Sequence, residues 1–207
     1  MSEKAKQLRG PAVREKFIDV ATDLFYANGV HAVGIDEVIS RTGMAKASLY
    51  RRFPSKDDLV LAVLQRRDDQ FWAAWDETAT RHPDPRAQLD AQLARMQRLA
   101  TGKGYRGCAF VNTAAEFDSE ANESIRRRCL AHQEELRRRL GTLTTELGTE
   151  AHDRAERLAD QLTIAIVGAF AVGGLYPTGG PAAQLRALAD DLIAATVGAA
   201  PPADPIR

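Results

Sequence analysis

The sequence predicts an all-α protein of about nine helices, and three observations carry that expectation. Apolar residues recur at spacings of three and four, the period of a helix, and almost nowhere at two, the period of a half-buried strand. Glycines stand where the periodic runs stop, at Gly29, Gly43 and Gly148. Pro54-Ser55 breaks the chain before a long apolar run and offers Ser55 as its N-cap.

The elements follow in order. Phe17, Val20, Ala21, Leu24 and Phe25 form one helical face, ended by Gly29. Ile35, Val38 and Ile39 form a second, short helix, with Gly34 at its N-cap position and Glu37 as half of a capping box. Residues 45–53 form a third, and Lys56 opens a fourth that reaches about Ala79. His82-Pro83-Asp84-Pro85 is a rigid linker to a fifth helix carrying Leu89, Leu93, Met96 and Leu99. A loop with three glycines, 101–107, precedes a short helix over 108–116. Helices over 120–147, 150–172 and 181–198 follow, the second turning apolar nearly all round after Leu162, which implies burial on several sides. The tail 199–207, with three prolines, is expected to be disordered.

Composition bounds the function. The chain has 207 residues, enough for one large domain or two small ones, with 44% hydrophobic and 27% charged residues, as in a folded soluble protein. Net charge is zero, but residues 1–56 hold ten bases and six acids, leaving a basic first quarter on a weakly acidic remainder. That is either a mild nucleic-acid signal or a fluctuation of surface charge. Two cysteines, Cys108 and Cys129, make no disulfide framework. The N-terminus lacks the apolar core of a secretory signal, and the apolar stretch 162–175 is too short to span a bilayer, so a cytoplasmic protein without membrane contact is expected. Cys129 and His132 lie one helical turn apart, but no further ligands follow at a recognisable spacing, and neither a metal nor a cofactor is expected. For Cys108, a reactive thiol after a glycine loop and a buried inert thiol both remain open.

The stretch from Phe17 to Leu59 carries the function. Three short amphipathic helices with a glycine in the tight turn between the second and third fit a helix-turn-helix. The third helix must offer small or polar residues outward at its N-terminus to enter a major groove, and apolar residues inward to rest on the first helix. Ala45, Lys46, Ala47 and Ser48 suit the first task, and Leu49 and Phe53 the second. Tyr50 and Arg51 can reach phosphates on the groove wall, although Tyr50 also suits half-buried packing. One of Arg51 and Arg52 is expected to serve solubility alone, since they point about 100° apart. Lys4, Lys6 and Arg9 form either a minor-groove arm or a free tail.

The run from Gly43 to Leu59, GMAKASLYRRFPSKDDL, resembles the signature of the tetracycline-repressor (TetR) family: a turn glycine, a Leu-Tyr pair, a Phe, and a Ser-Lys-acid run opening helix 4. Gly29 and Ile35-Asp36-Glu37-Val38 sit at the family's spacing upstream, so the resemblance covers roughly the first 65 residues. It implies that Lys46 and Ala47 lie at base edges, that Tyr50 contacts phosphate, and that Lys56 joins the N–H groups of helix 4 in a phosphate clamp. Thr42 and Ser48 become further phosphate candidates. Gly34 and Ala45 stand where the family often has hydroxyl residues, so backbone N–H groups must do that work here.

Domains are then expected at 1–55, for DNA binding, and 56–198, for ligand binding and dimerisation. Leu64, Phe71, Trp72 and Trp75 on helix 4, Met96, Phe110, Asn112 and His132 are either plain core or the lining of an effector pocket. The segment 107–116 resembles one in a TetR subgroup but names no ligand. Ile164, Ile166, Phe170, Leu188 and Leu192 give the last two helices more apolar surface than one domain needs to hide, which suggests a four-helix interface between two copies. The expected function is a homodimeric repressor released from double-stranded operator DNA by a small, largely apolar effector. The alternative is a dimeric DNA-binding protein without an effector. An enzyme using His132 or His152 with Glu116, Glu134 or Glu135 is not expected, because no nucleophile–base pair, metal motif or phosphate loop is present.

Overall fold

A computed structural model describes residues 10–117, 122–147 and 152–197. The basic arm candidates Lys4, Lys6 and Arg9, the tail 199–207, and the expected boundary residues Glu120, Gly148 and Glu150 lie outside these residues. Among the described residues there are nine α-helices and no strand: α1 (Pro11–Asn28), α2 (Ile35–Thr42), α3 (Lys46–Tyr50), α4 (Lys56–Arg81), α5 (Pro85–Ala100), α6 (Ala109–Glu116), α7 (Glu123–Glu146), α8 (His152–Gly173) and α9 (Leu185–Val197). Among them, no helix is long and apolar enough to cross a membrane.

The helix ends show why the sequence was legible. Pro11 occupies the first turn of α1, where its missing N–H costs nothing. Gly43 closes α2 in the left-handed region (φ 67°), and its N–H donates to the Ile39 carbonyl at 3.0 Å. A side chain with a Cβ would be strained there, so this glycine makes the tight turn into α3. Ser55 and Asp58 cap α4 reciprocally: the Asp58 N–H donates to Ser55 Oγ (3.1 Å), and the Ser55 N–H donates to Asp58 Oδ2 (2.9 Å). Asp84 caps α5 by accepting the Ala87 N–H at 2.8 Å.

Two elements differ from expectation. Helix α3 ends at Tyr50 rather than Phe53, and the chain continues to Pro54 through a turn in which the Arg52 and Phe53 N–H groups both donate to the Leu49 carbonyl (2.8 and 2.9 Å). Residues 180–184 form a 3-10 turn (Gly180–Gln184), so α9 starts later than Pro181. Glu37 lies 3.6 Å from Arg41 across one turn of α2.

The chain divides into two compact units. The first takes residues up to Gln70 together with 109–129, and the second takes 71–108 and the chain from Leu130 onward. The expected division after Ser55 gave the first unit less: by packing it also holds the first half of α4, all of α6 and the opening of α7. Its core is built on Phe17, Ile18, Ala21, Val38, Leu49, Phe53 and Leu59, all nearly inaccessible to solvent. Arg66 pairs with Glu15 and Asp19, and Arg128 with the buried Asp68 (2.5 Å). The second unit packs Trp75, Leu89, Leu93, Met96, Leu136, Leu140 and Leu158 into one cluster with the inner faces of α8 and α9. Its chain turns approach closely: a Cβ on Gly173 would stand 2.3 Å from the Ala100 carbonyl oxygen, so only glycine fits there.

Candidate nucleic-acid interface and effector core

Helix α3 rests on Leu49, which is fully buried, and on Phe53 just beyond it, while α1 packs behind both. That arrangement leaves Ala45, Lys46, Ala47, Tyr50 and Arg51 exposed and Ser48 half-exposed. Tyr50 is 42% exposed, which removes the half-buried packing role left open for it. Lys46 Nζ lies 2.8 Å from Asp36 Oδ1 at the start of α2. The hydrogen bond and charge of Asp36 raise the Lys46 pKa further above its usual value, so the ammonium is charged throughout the physiological range. Arg51 Nη2 donates to Ser48 Oγ at 3.1 Å.

Three residues of this region are spent on the fold instead. Thr42 is buried; its hydroxyl donates to the Ile39 carbonyl (2.8 Å) and accepts the Met44 N–H (3.3 Å). Thr42 is therefore a turn residue and not a phosphate contact: a capping hydroxyl that points inward has no reach outward. Arg52 Nη1 donates to the Ser48 carbonyl (2.8 Å), clasping the end of α3. Lys56 is half-buried; burial pushes its pKa down, and Glu116 and Asp57 partly restore it. The phosphate clamp expected at Lys56 is also weakened by Asp57 and Asp58, two carboxylates already set in the first turn of α4. Gly34 is exposed and caps α2 with backbone alone, in an extended conformation.

Sequence reasoning missed the residue that ties α6 to the reading head. Glu116, the last residue of α6, accepts the N–H of Val30 at 3.0 Å and of His31 at 2.7 Å. It thereby fills the turn between α1 and α2, and the His31 and Phe117 rings meet edge to face at 4.8 Å beside it. The carboxylate lies 3.2 Å from the Cβ position of Gly29, whose positive φ opens the turn. No local pattern marks such a contact, because donors and acceptor are 85 and 86 residues apart.

The expected pocket residues separate between the units. Leu64 and Phe110 are core of the first unit. Asn112 is exposed, two residues and thus about 200° round α6 from the buried Phe110, so it does not face that core. Phe71, Trp72, Trp75, Met96 and His132 belong to the second unit. There the rings form one cluster: Phe71–Trp72 at 4.9 Å, Phe71–His132 at 5.0 Å, Trp72–His132 at 5.2 Å and Trp72–Trp75 at 6.0 Å between centroids. Two arginines lie over it, Arg139 at 4.5 Å from Trp72 and Arg95 at 4.7 Å from Phe71. The sequence pattern singled out neither arginine. Among the described residues, no group of three or more His, Cys, Asp or Glu is placed to hold a metal. Cys108 is half-buried, and Gln133 Nε2 approaches its sulfur at 3.8 Å.

Arg139 is held by Glu135 (2.6 Å) and by Asp76. Hydrogen bonds from Arg138, and then Arg139, hold the Glu135 carboxyl down at about 2 in spite of burial. A depressed carboxyl stabilises the fold above its ordinary pKa of 4.5, and that contribution is lost as pH falls from there toward 2. Glu135→Gln should therefore unfold with a flatter pH dependence than the parent across this window. Denaturant midpoints at several pH values measure it, and parallel slopes would refute the assignment.

The dimer candidates also divide. Ile166 (0% exposed) and Phe170 (5%) lie in the second unit's own core and cannot meet a second copy. They share a face of α8 with Leu158, Ala159 and Leu162, and Ile164 falls about 200° away from Ile166. Ile164 (73%) and Leu188 (47%) are exposed, and Leu192 is half-exposed.

Comparison with known proteins agrees with this geometry. Residues 17–63 match the family model described as bacterial regulatory proteins, tetR family. Over 80 residues the chain is 37% identical to the HTH-type transcriptional activator FasR of Mycolicibacterium smegmatis, covering 39% of this chain and 36% of that protein. Over 78 residues it is 30% identical to the HTH-type transcriptional repressor KstR2 of Rhodococcus jostii, covering 38% of each. The chain thus spans well under half the length of these curated relatives. Its backbone matches a TetR-family transcriptional regulator from Streptomyces coelicolor with a TM-score of 0.83 and 27% identity, over 89% of this chain and 96% of that one. A TetR transcriptional regulator from Chloroflexus aurantiacus matches with a TM-score of 0.71 and 27% identity, over 88% and 93%. The sequence of residues 17–63 thus matches the tetR family model, and the helical architecture matches that of solved TetR-family transcriptional regulators.

Proposed function

We propose that the protein is a homodimeric repressor that grips operator DNA with α3 of each subunit and releases it when a small molecule enters the second unit. One observation carries the reading: Lys46, Ala47 and Tyr50 stand exposed on a helix whose other face, Leu49, is anchored in a core. A small outer surface with one cation and one phenol suits entry into a major groove between phosphate walls. Two copies related by a two-fold axis would meet successive major grooves about 34–36 Å apart. Ile164 on α8, with Leu188 and the half-exposed Leu192 on α9, are the interface candidates that remain.

Release requires that a ligand favour one arrangement of the reading head over another. Helix α4 runs from Lys56 to Arg81 and passes from the first unit into the second at Phe71, so a ligand at its Phe71–Trp75 stretch would touch the helix that leads to α3. Glu116 offers a second route, since any shift of α6 pulls on the α1–α2 turn. A coupling of about 1–3 kcal/mol would lower operator affinity about 5- to 150-fold. The relatives include both an activator and a repressor, and repression is the sign proposed here.

The test is selection of bound duplexes from a random pool by the full-length protein, repeated with candidate effectors. A palindromic consensus that an effector releases is expected. No duplex retained at low salt would defeat the reading.

A further inference from the structure

Burying a guanidinium is costly unless a negative partner comes with it. Two arginines lie on the aromatic cluster of the second unit, and they differ in this respect. Arg139 covers Trp72 and carries two carboxylates, Glu135 and Asp76. Arg95 covers Phe71 at 4.7 Å and has no carboxylate partner among the described residues. Its Nε donates to Gln92 Oε1 at 3.2 Å, and its Nη2 is sealed from solvent without an acceptor. Gln92 cannot neutralise it, and its own amide is spent on the Trp75 carbonyl at 2.9 Å. Burial lowers the Arg95 pKa, and Arg98, a like charge, lowers it further. A guanidinium nonetheless stays protonated, so the positive charge is uncompensated among the described residues.

With Cζ 4.7 Å from the Phe71 ring centre and Nε bonded to Gln92, the guanidinium keeps the N–H donors of its terminal nitrogens, the outer edge of the group. That edge is built to accept a carboxylate. Phe71, Trp72 and Arg95 are each half-buried, so solvent reaches them, while Trp75, Met96 and His132 beneath are buried. An apolar, ring-lined floor with one unpaired cation at its edge is the complement of an amphiphilic anion. A purely apolar ligand would leave the Arg95 edge orphaned.

We propose that the effector is an aromatic carboxylic acid, its carboxylate paired with the Arg95 N–H edge and its ring against Phe71 and Trp72. The inference rests on the ligand-responsive reading above and replaces the largely apolar effector expected from sequence with an anionic one. Both tryptophans of the chain, Trp72 and Trp75, lie in the cluster, so their emission reports occupancy directly.

The test titrates the full-length protein with trans-cinnamate and with neutral trans-cinnamamide, by calorimetry and tryptophan emission. Cinnamate is expected to quench the emission and to bind about tenfold or more tighter than the amide, as a charge-assisted pair demands. Arg95→Gln should make the two probes equal, and Arg95→Lys should keep part of the preference. Equal binding of acid and amide by the parent protein overturns the proposal without needing a variant that folds. Binding of neither probe up to its solubility limit also overturns it. Retained duplex binding in the same preparation would then show that the regulator reading survives. Loss of duplex binding together with intact acid binding would sink that reading and leave this one standing.

Discussion

Lys46→Glu is expected to lower affinity for duplex DNA by about 30- to 150-fold at moderate salt, since it removes one cation from the groove surface and sets an anion against phosphate. The exposure of Lys46 at the outer end of α3 is what makes the effect large. In the free protein its ammonium is held by Asp36 at 2.8 Å, and both side chains are well exposed, at 58% and 81%. Solvent screens such a pair strongly, so DNA can displace Asp36 at little cost. Asp36→Asn should accordingly strengthen duplex binding a few fold, because it frees the cation and removes a negative charge from the groove face. Lys46→Ala should be milder than the reversal and should relax base preference at one operator position. Gel shifts over a salt series on the selected operator and on scrambled duplexes measure all three. An unchanged affinity and salt slope for Lys46→Glu would show that α3 is not the groove-reading element.

Glu116→Ala is expected to cost about 2–4 kcal/mol of stability, because it strips two charge-assisted acceptors from backbone donors in a turn that is partly closed to water. The Val30 N–H belongs to a residue only 3% exposed, so solvent can replace the lost acceptor poorly there. The exposed His31 can recover a water, which makes its share of the loss smaller. Duplex affinity should fall as well, since the same turn sets where α2 and α3 stand on α1. Glu116→Gln keeps one acceptor oxygen and should fall between the parent and the alanine variant in both readouts. Denaturant midpoints and gel shifts on one preparation check this. Unchanged values for Glu116→Ala would mean that the contact is decorative and that α6 has no grip on the reading head.

Local chemistry was decided by the chain itself. A helix end depends on residues within about four positions, so the Gly43 turn, the Ser55 cap, the Asp84 cap and the nine helical runs follow from neighbours in sequence. The same holds for Leu49 and Phe53 as the inward face beneath an exposed Lys46 and Tyr50. The outward turn of Asn112 was legible too, from helical period. Burial and partnership were not, because they depend on what arrives from far along the chain. Ile166 and Phe170 look like spare apolar surface until α5 and α9 cover them. Thr42 looks like a free hydroxyl until its turn closes on it. Nothing within a few residues of Glu116 or Arg95 marks what either side chain meets. Only folding brings one carboxylate to a turn 86 residues upstream and leaves one guanidinium on an aromatic floor without a counterion among the described residues.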